Sequence, residues 1–209
     1  MDEIQNLDFV GKVKGFLLNP IETFKKVKEE PLGESFRYFI VLLLIYSTLN
    51  ALVLSATLNT MLGSIYSVYQ EIPFFGSMIQ SGYMLSIPVF FILFLIFGII
   101  GIFIGGGVIH LGVILFGGKR GYTQTVKALL YSSTPSYLFG WIPTIGLIFG
   151  IWAFVLEIFG IKELQDMSTG RAIAAIIIPA LIIGVILTII IAAAVFMYVS
   201  NMTGVTPGI

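Results

Sequence analysis

The chain has 209 residues, 57% of them hydrophobic and only 11% charged, with a mean hydropathy of +1.03. A soluble domain is about a quarter charged, so 11 Lys+Arg and 11 Asp+Glu cannot cover a folded globule of 22.9 kDa, and disorder needs the opposite composition. A net charge of zero excludes the basic excess of a nucleic-acid binder, and the absence of Cys excludes disulfides, thiolate metal sites and Cys nucleophiles. The composition is that of an integral membrane protein.

In chain order, the acidic start (Asp2, Glu3) and the lack of an early apolar stretch argue against a cleaved signal peptide. The first span is therefore expected to serve as an uncleaved anchor. Asn19-Pro20-Ile21-Glu22 reads as a helix start, with Asn19 as the cap, Pro20 in the first turn and Glu22 closing a capping box. Ile21, Phe24 and Val27 then share one face among Lys25, Lys26, Lys28, Glu29 and Glu30, and Pro31 ends the helix. Such a helix either lies at the headgroups and orients the first span or docks a cytoplasmic partner, and the surface anchor is the plainer reading.

Charges are absent from 38–70, 72–118, 128–156 and 172–209. A spanning helix needs roughly 20 apolar residues. Clear candidates lie at 39–58, 83–116, 142–161 and 172–198; the second is longer than one span needs and is expected to tilt, project or bend near Gly105-Gly106-Gly107. The segment 122–138, with Gln124, Lys127, Ser132, Ser133, Thr134 and Ser136, is too polar to face lipid. Residues 63–82 are expected to form the one long external loop.

Topology brings that polar segment into the membrane. The basic residues fall into three groups: Lys12 to Arg37, then Lys119, Arg120 and Lys127, then Lys162 and Arg171. Lys/Arg-rich connections stay cytoplasmic, so 128–161 must go out and return as a tight hairpin. The expected fold class is thus all-α: a polytopic membrane bundle of five transmembrane helices with an N-terminal amphipathic interfacial helix. Its parts are a cytoplasmic segment at 1–35, the bundle at 36–200 and a short extracytoplasmic tail at 201–209, in a cell (plasma) membrane.

Ionisable residues inside spans are functional candidates, and there are three: His110, Lys127 and Glu157. Their distances in sequence from Lys119 and Lys162 place all of them in the inner half of the bilayer. A Lys127–Glu157 pair with His110 beside it would make a proton- or ion-linked site, or simply a structural bridge in a polar hairpin, with lysine snorkelling as a further alternative. One His without a carboxylate pair falls short of a metal site, and Ser132 and Ser133 lack an evident base; no catalytic residue, metal or cofactor is expected. Gly98, Gly101, Gly105 and Gly112 form a smooth face for close helix packing. Pro135 and Pro143 bracket the hairpin turn, where Ser/Thr side chains can satisfy freed carbonyls.

Three stretches carry a resemblance. They are Phe16-Leu17-Leu18-Asn19-Pro20 through Phe24 to Pro31; Gly121-Tyr122-Thr123-Gln124-Thr125 leading to Ala128-Leu129-Leu130-Tyr131-Ser132-Ser133-Thr134-Pro135; and Ile151-Trp152-Ala153 through Glu157-Ile158, Lys162-Glu163-Leu164 and Ser168-Thr169-Gly170-Arg171-Ala172. Their order resembles the Yip domain family (Ypt/Rab-interacting proteins), especially its prokaryotic members. The resemblance implies a multi-span protein that associates with Rab-type GTPases and with its own kind. The chain lacks the long N-terminal region and the Asp-Leu-Tyr-Gly-Pro motif of the eukaryotic relatives, so no GTPase-binding residue carries over. The reading is a non-enzymatic membrane scaffold or adaptor whose partners are the lipid bilayer, a second copy or other membrane proteins, and not nucleic acid. A small transporter, channel or lipid-handling protein using the polar hairpin is the alternative.

Overall fold

The computed structural model describes residues 7–69 and 73–203, with side chains described outside 64–80, 83–84 and 203. Among these residues the chain is all-α, without a strand. The helices are α1 (Phe9–Leu18), α2 (Pro20–Val27), α3 (Leu32–Tyr69), α4 (Pro73–Leu115), α5 (Gly121–Ser132), α6 (Thr134–Phe139), α7 (Gly146–Leu164) and α8 (Thr169–Thr203).

Three helices, α3, α4 and α8, are long and apolar enough to cross a membrane. At 38, 43 and 35 residues they run about 50–65 Å, well beyond a hydrocarbon core of about 30 Å. The expected external loop at 63–82 is helical backbone instead, except at 70–72, which lie outside the described residues. α4 opens on Pro73, at a position where proline's missing N–H costs nothing. No bend is needed at Gly105-Gly106-Gly107, which lie inside α4.

Between α4 and α8 the chain forms the expected hairpin, α5 and α6 leading away and α7 returning. α5 has 12 residues, a rise of about 18 Å. α7 has 19 residues and carries Glu157, Lys162 and Glu163. Neither has both the length and the apolarity of the three long helices. The junction between α5 and α6 is held as its sequence suggests. Pro135 cannot donate to the Tyr131 carbonyl, and the Thr134 hydroxyl does so at 2.6 Å. Ser133 and Ser132 hydroxyls donate to the carbonyls of Leu130 and Leu129.

The core sits at one end of the bundle. Phe16, Phe24, Val27, Tyr38, Leu42, Ala128, Tyr131, Leu156, Ile161 and Leu164 form its main cluster. α5 is at the centre, packed against α3, α4 and α7, and every residue from 125 to 132 is buried. A helix buried on all sides meets protein rather than solvent or lipid, which accounts for a segment too polar to face acyl chains.

The N-terminal helix starts at Pro20 as expected, but the capping box does not form. The Asn19 side chain makes no cap bond; the Thr23 hydroxyl donates to the Asn19 carbonyl at 2.8 Å, and Glu22 pairs with Lys25. The apolar stripe also faces elsewhere than predicted. Phe24 and Val27 are fully buried in the core and Ile21 is half-buried, so the stripe meets protein rather than headgroups. A Cβ on Gly160 of α7 would lie 2.9 Å from the Phe24 ring, so glycine is what lets α2 dock. α1 has no counterpart in the sequence reading; Asp8 caps it by accepting from the Gly11 N–H at 2.7 Å.

Candidate functional site

The buried polar groups gather where α1 and α2 meet α5. Lys127, fully buried on α5, donates to the carbonyls of Lys28 at 2.8 Å and Glu30 at 2.7 Å. These oxygens follow the end of α2, where a helix leaves its last carbonyls without backbone partners. Lys127 is therefore a C-terminal cap delivered from another helix, its charge favoured by the negative end of α2. Gln124, one turn earlier on α5, also donates to the Lys28 carbonyl.

Beside this cap lies a closed ion pair. Lys12 on α1 donates to Glu30 at 2.8 Å, both side chains 8% exposed, and the Tyr131 hydroxyl donates to the same Glu30 oxygen at 2.5 Å. The Lys12 ammonium also lies 5.8 Å from the centre of the Tyr131 ring. Phe16 stacks on Tyr131 with centroids 4.8 Å apart, and Tyr38 shares a hydrogen bond with Thr134. Each charge in this pocket has an opposite charge or carbonyl dipole in contact, as burial requires.

A second network ties the hairpin to α4. His110 Nδ1 and the Thr125 hydroxyl are 2.9 Å apart, and Gln165 donates to that hydroxyl and to the Gly121 carbonyl. Gln165 also accepts from the Arg120 N–H. At the surface Arg120 bridges Glu29 and Asp166, and Lys28 pairs with Asp166. These contacts bring the three basic stretches of the sequence to one end of the bundle.

The three predicted intramembrane groups do not form one site. Lys127 caps α2 rather than pairing with Glu157, because its ammonium is held by two carbonyls. His110 meets Thr125. Glu157 is half-buried on α7 and makes neither an ion pair nor a hydrogen bond among the described residues. Of the predicted packing glycines, Gly98 lies against Leu43 of α3 and Gly112 against Ala175 and Pro179 of α8. Gly105 has Leu129 at 3.9 Å from its would-be Cβ, and Gly101 has nothing within 4 Å. Lys12, Glu30, Tyr131 and Gln165 were missed. Their only signal was that Glu30 and Tyr131 sit inside the stretches that carry the family resemblance.

Those stretches supply Phe16, Phe24, Tyr131, Leu164 and Ala172 to one core. The match extends far beyond them: the family model of the Yip1 domain covers residues 14–206. The chain belongs to the Yip1 domain family. No curated protein and no solved structure matches it. The Yip1 family is not a known enzyme family, and its membership agrees with long apolar helices made for a lipid bilayer. Among the described residues, no group of three His, Asp or Glu side chains is placed to hold a metal ion.

Proposed function

We propose that this Yip1-domain chain is a non-enzymatic membrane scaffold, in which α5–α6 and α7 complete a five-pass bundle and α1–α2 form a fixed platform on its cytoplasmic face. The observation that carries this reading is the state of Lys127. Its ammonium lies on two backbone carbonyls, and the neighbouring Glu30 carboxylate is held by Lys12 and Tyr131. Charges committed to internal partners build a rigid surface; a transport site needs groups free to exchange partners with cargo. The scaffold's partners are the bilayer and other membrane proteins, a second copy among them. Purified protein in sealed liposomes is expected to add no proton or potassium flux to the lipid background. Flux well above background that Glu157→Gln abolishes would replace the scaffold with a transporter.

One observation favours that second reading. Glu157 lies on a helix of the hairpin without an ion-pair partner among the described residues, and such a carboxylate at membrane depth is a place for a proton or cation. His110 and Lys127 would then be its supporting groups on α4 and α5, and the same flux measurement decides between the two.

A further inference from the structure

A groove of about 310 Å³ opens between the start of α1 and the start of α3. Four of its lining residues are charged: Asp8 and Lys12 on one wall, Glu34 and Arg37 on the other. Two are aromatic, Phe9 and Tyr38, with ring centroids 5.2 Å apart. The groove lies at a defined level of the molecule. Arg37 is the last charge before a run without any charge that extends to residue 70, so the groove sits where the apolar part of α3 begins. Val41, Leu44 and Ile45 continue outward along α3 with exposed side chains, and α1 exposes Val10 beside the groove. This is the depth of lipid headgroups with an acyl-chain surface above it.

The charge balance selects the headgroup. Lys12 is buried and already neutralised by Glu30, which leaves two carboxylates and one guanidinium at the rim. An anionic lipid finds no surplus of cations there. A zwitterion finds both halves of its complement. Asp8 uses one oxygen to cap α1 and Glu34 uses one on Arg37; their second oxygens carry no hydrogen bond among the described residues. Arg37, with its side chain 80% exposed, keeps further N–H groups beyond the one on Glu34. The Phe9 ring, exposed at this rim and backed by the buried Tyr38 ring, offers an aromatic surface to a cation.

We propose that this groove binds the headgroup of a zwitterionic aminophospholipid, its primary ammonium on Asp8 and Glu34 and its phosphate on Arg37. The ammonium's three N–H donors match carboxylate acceptors, which a quaternary choline cannot do, and a phosphate accepts from guanidinium in charge-assisted bonds. The site stands apart from the scaffold reading, since it uses neither Lys127 nor Glu157.

Native mass spectrometry of the delipidated full-length protein tests it, with phosphatidylethanolamine, phosphatidylcholine and phosphatidylglycerol of matched chains added in turn. Phosphatidylethanolamine is expected to be retained about fivefold or more over the other two. The double variant Asp8→Asn/Glu34→Gln should bring it down to the phosphatidylcholine level. Asparagine caps a helix as well as aspartate, so α1 should persist, with unchanged helicity by circular dichroism. Arg37→Gln, at an exposed side chain, is the second probe and should lower retention about threefold or more. Equal retention of the three lipids, preference for phosphatidylglycerol, or retention unchanged in either variant would overturn the proposal.

Discussion

Lys127 caps a helix to which it is joined by no nearby sequence, and its removal should be felt there first. Lys127→Met keeps the bulk and removes the donors, stranding the carbonyl of Glu30 and leaving that of Lys28 to Gln124 alone. An unsatisfied buried acceptor costs about 1–3 kcal/mol, and a loss of that size is expected by denaturant unfolding in detergent. Glu30 gives a complementary pair of variants. Lys12→Met leaves a buried carboxylate without its cation, expected to destabilise by about 3–5 kcal/mol, whereas Lys12→Met/Glu30→Leu removes both charges and should recover most of that loss. If the single and double variants were equally unstable, the ion pair would not be the cause. Asp166 carries a pH effect of known sign. Lys28, and then Arg120, hold its carboxyl below the ordinary value. Its contribution is therefore complete above the unfolded pKa near 3.8 and is lost as the pH falls through the lower folded value. The group is exposed, so the effect is at most about 1 kcal/mol; Asp166→Asn should lower stability by up to that amount at neutral pH and leave it nearly unchanged in acid below the folded value, which flattens the acid limb of the stability profile.

At the scale of elements, α5 organises the rest. Its neighbours α3, α4 and α7 surround it, and its polar side chains point at partners rather than at lipid. Helix contacts elsewhere depend on missing side chains. A Cβ on Gly112 would run into the backbone of Ala175 and lie 2.7 Å from the Pro179 ring, so α4 and α8 touch there at backbone distance. Gly112→Leu should force them apart and destabilise by about 1–3 kcal/mol or more; Gly101→Leu, facing open space, should leave stability unchanged in the same unfolding measurement. The long helices were legible because composition over 20 residues decides them, and the hairpin was legible from the placement of Lys and Arg. The start of α2 at Pro20 and the Ser/Thr support around Pro135 followed from local chemistry. The target of Lys127 was not legible: depth along a helix gives no azimuth, and Glu157 and the end of α2 were equally available in one dimension. The stripe Ile21, Phe24, Val27 reads the same whether headgroups or Gly160 of α7 lie beneath it. Lys12 and Glu30 stand 18 residues apart in a region rich in charge, with no periodicity to single them out.

The whole molecule is a tight base from which long apolar helices extend. Buried side chains concentrate in α1, α2, α5, the inner part of α3, the ends of α4 and α7 and the start of α8, while residues 180–199 of α8 are exposed throughout. Helices in lipid gain little from hydrophobic contact with each other, so the fold is fixed mainly by the base, where burial and polar satisfaction act together. A platform locked from below by α5 is the central claim. Hydrogen exchange in lipid nanodiscs tests it most directly, comparing wild type with Lys127→Met. The backbone amides of 23–28 should exchange slowly in the wild type and about tenfold faster or more in the variant, since about 1.4 kcal/mol of lost protection is a factor of ten, with residues 181–199 unchanged between the two. Rapid exchange at 23–28 in the wild type, or protection there that survives the loss of Lys127, would contradict a platform held by that cap.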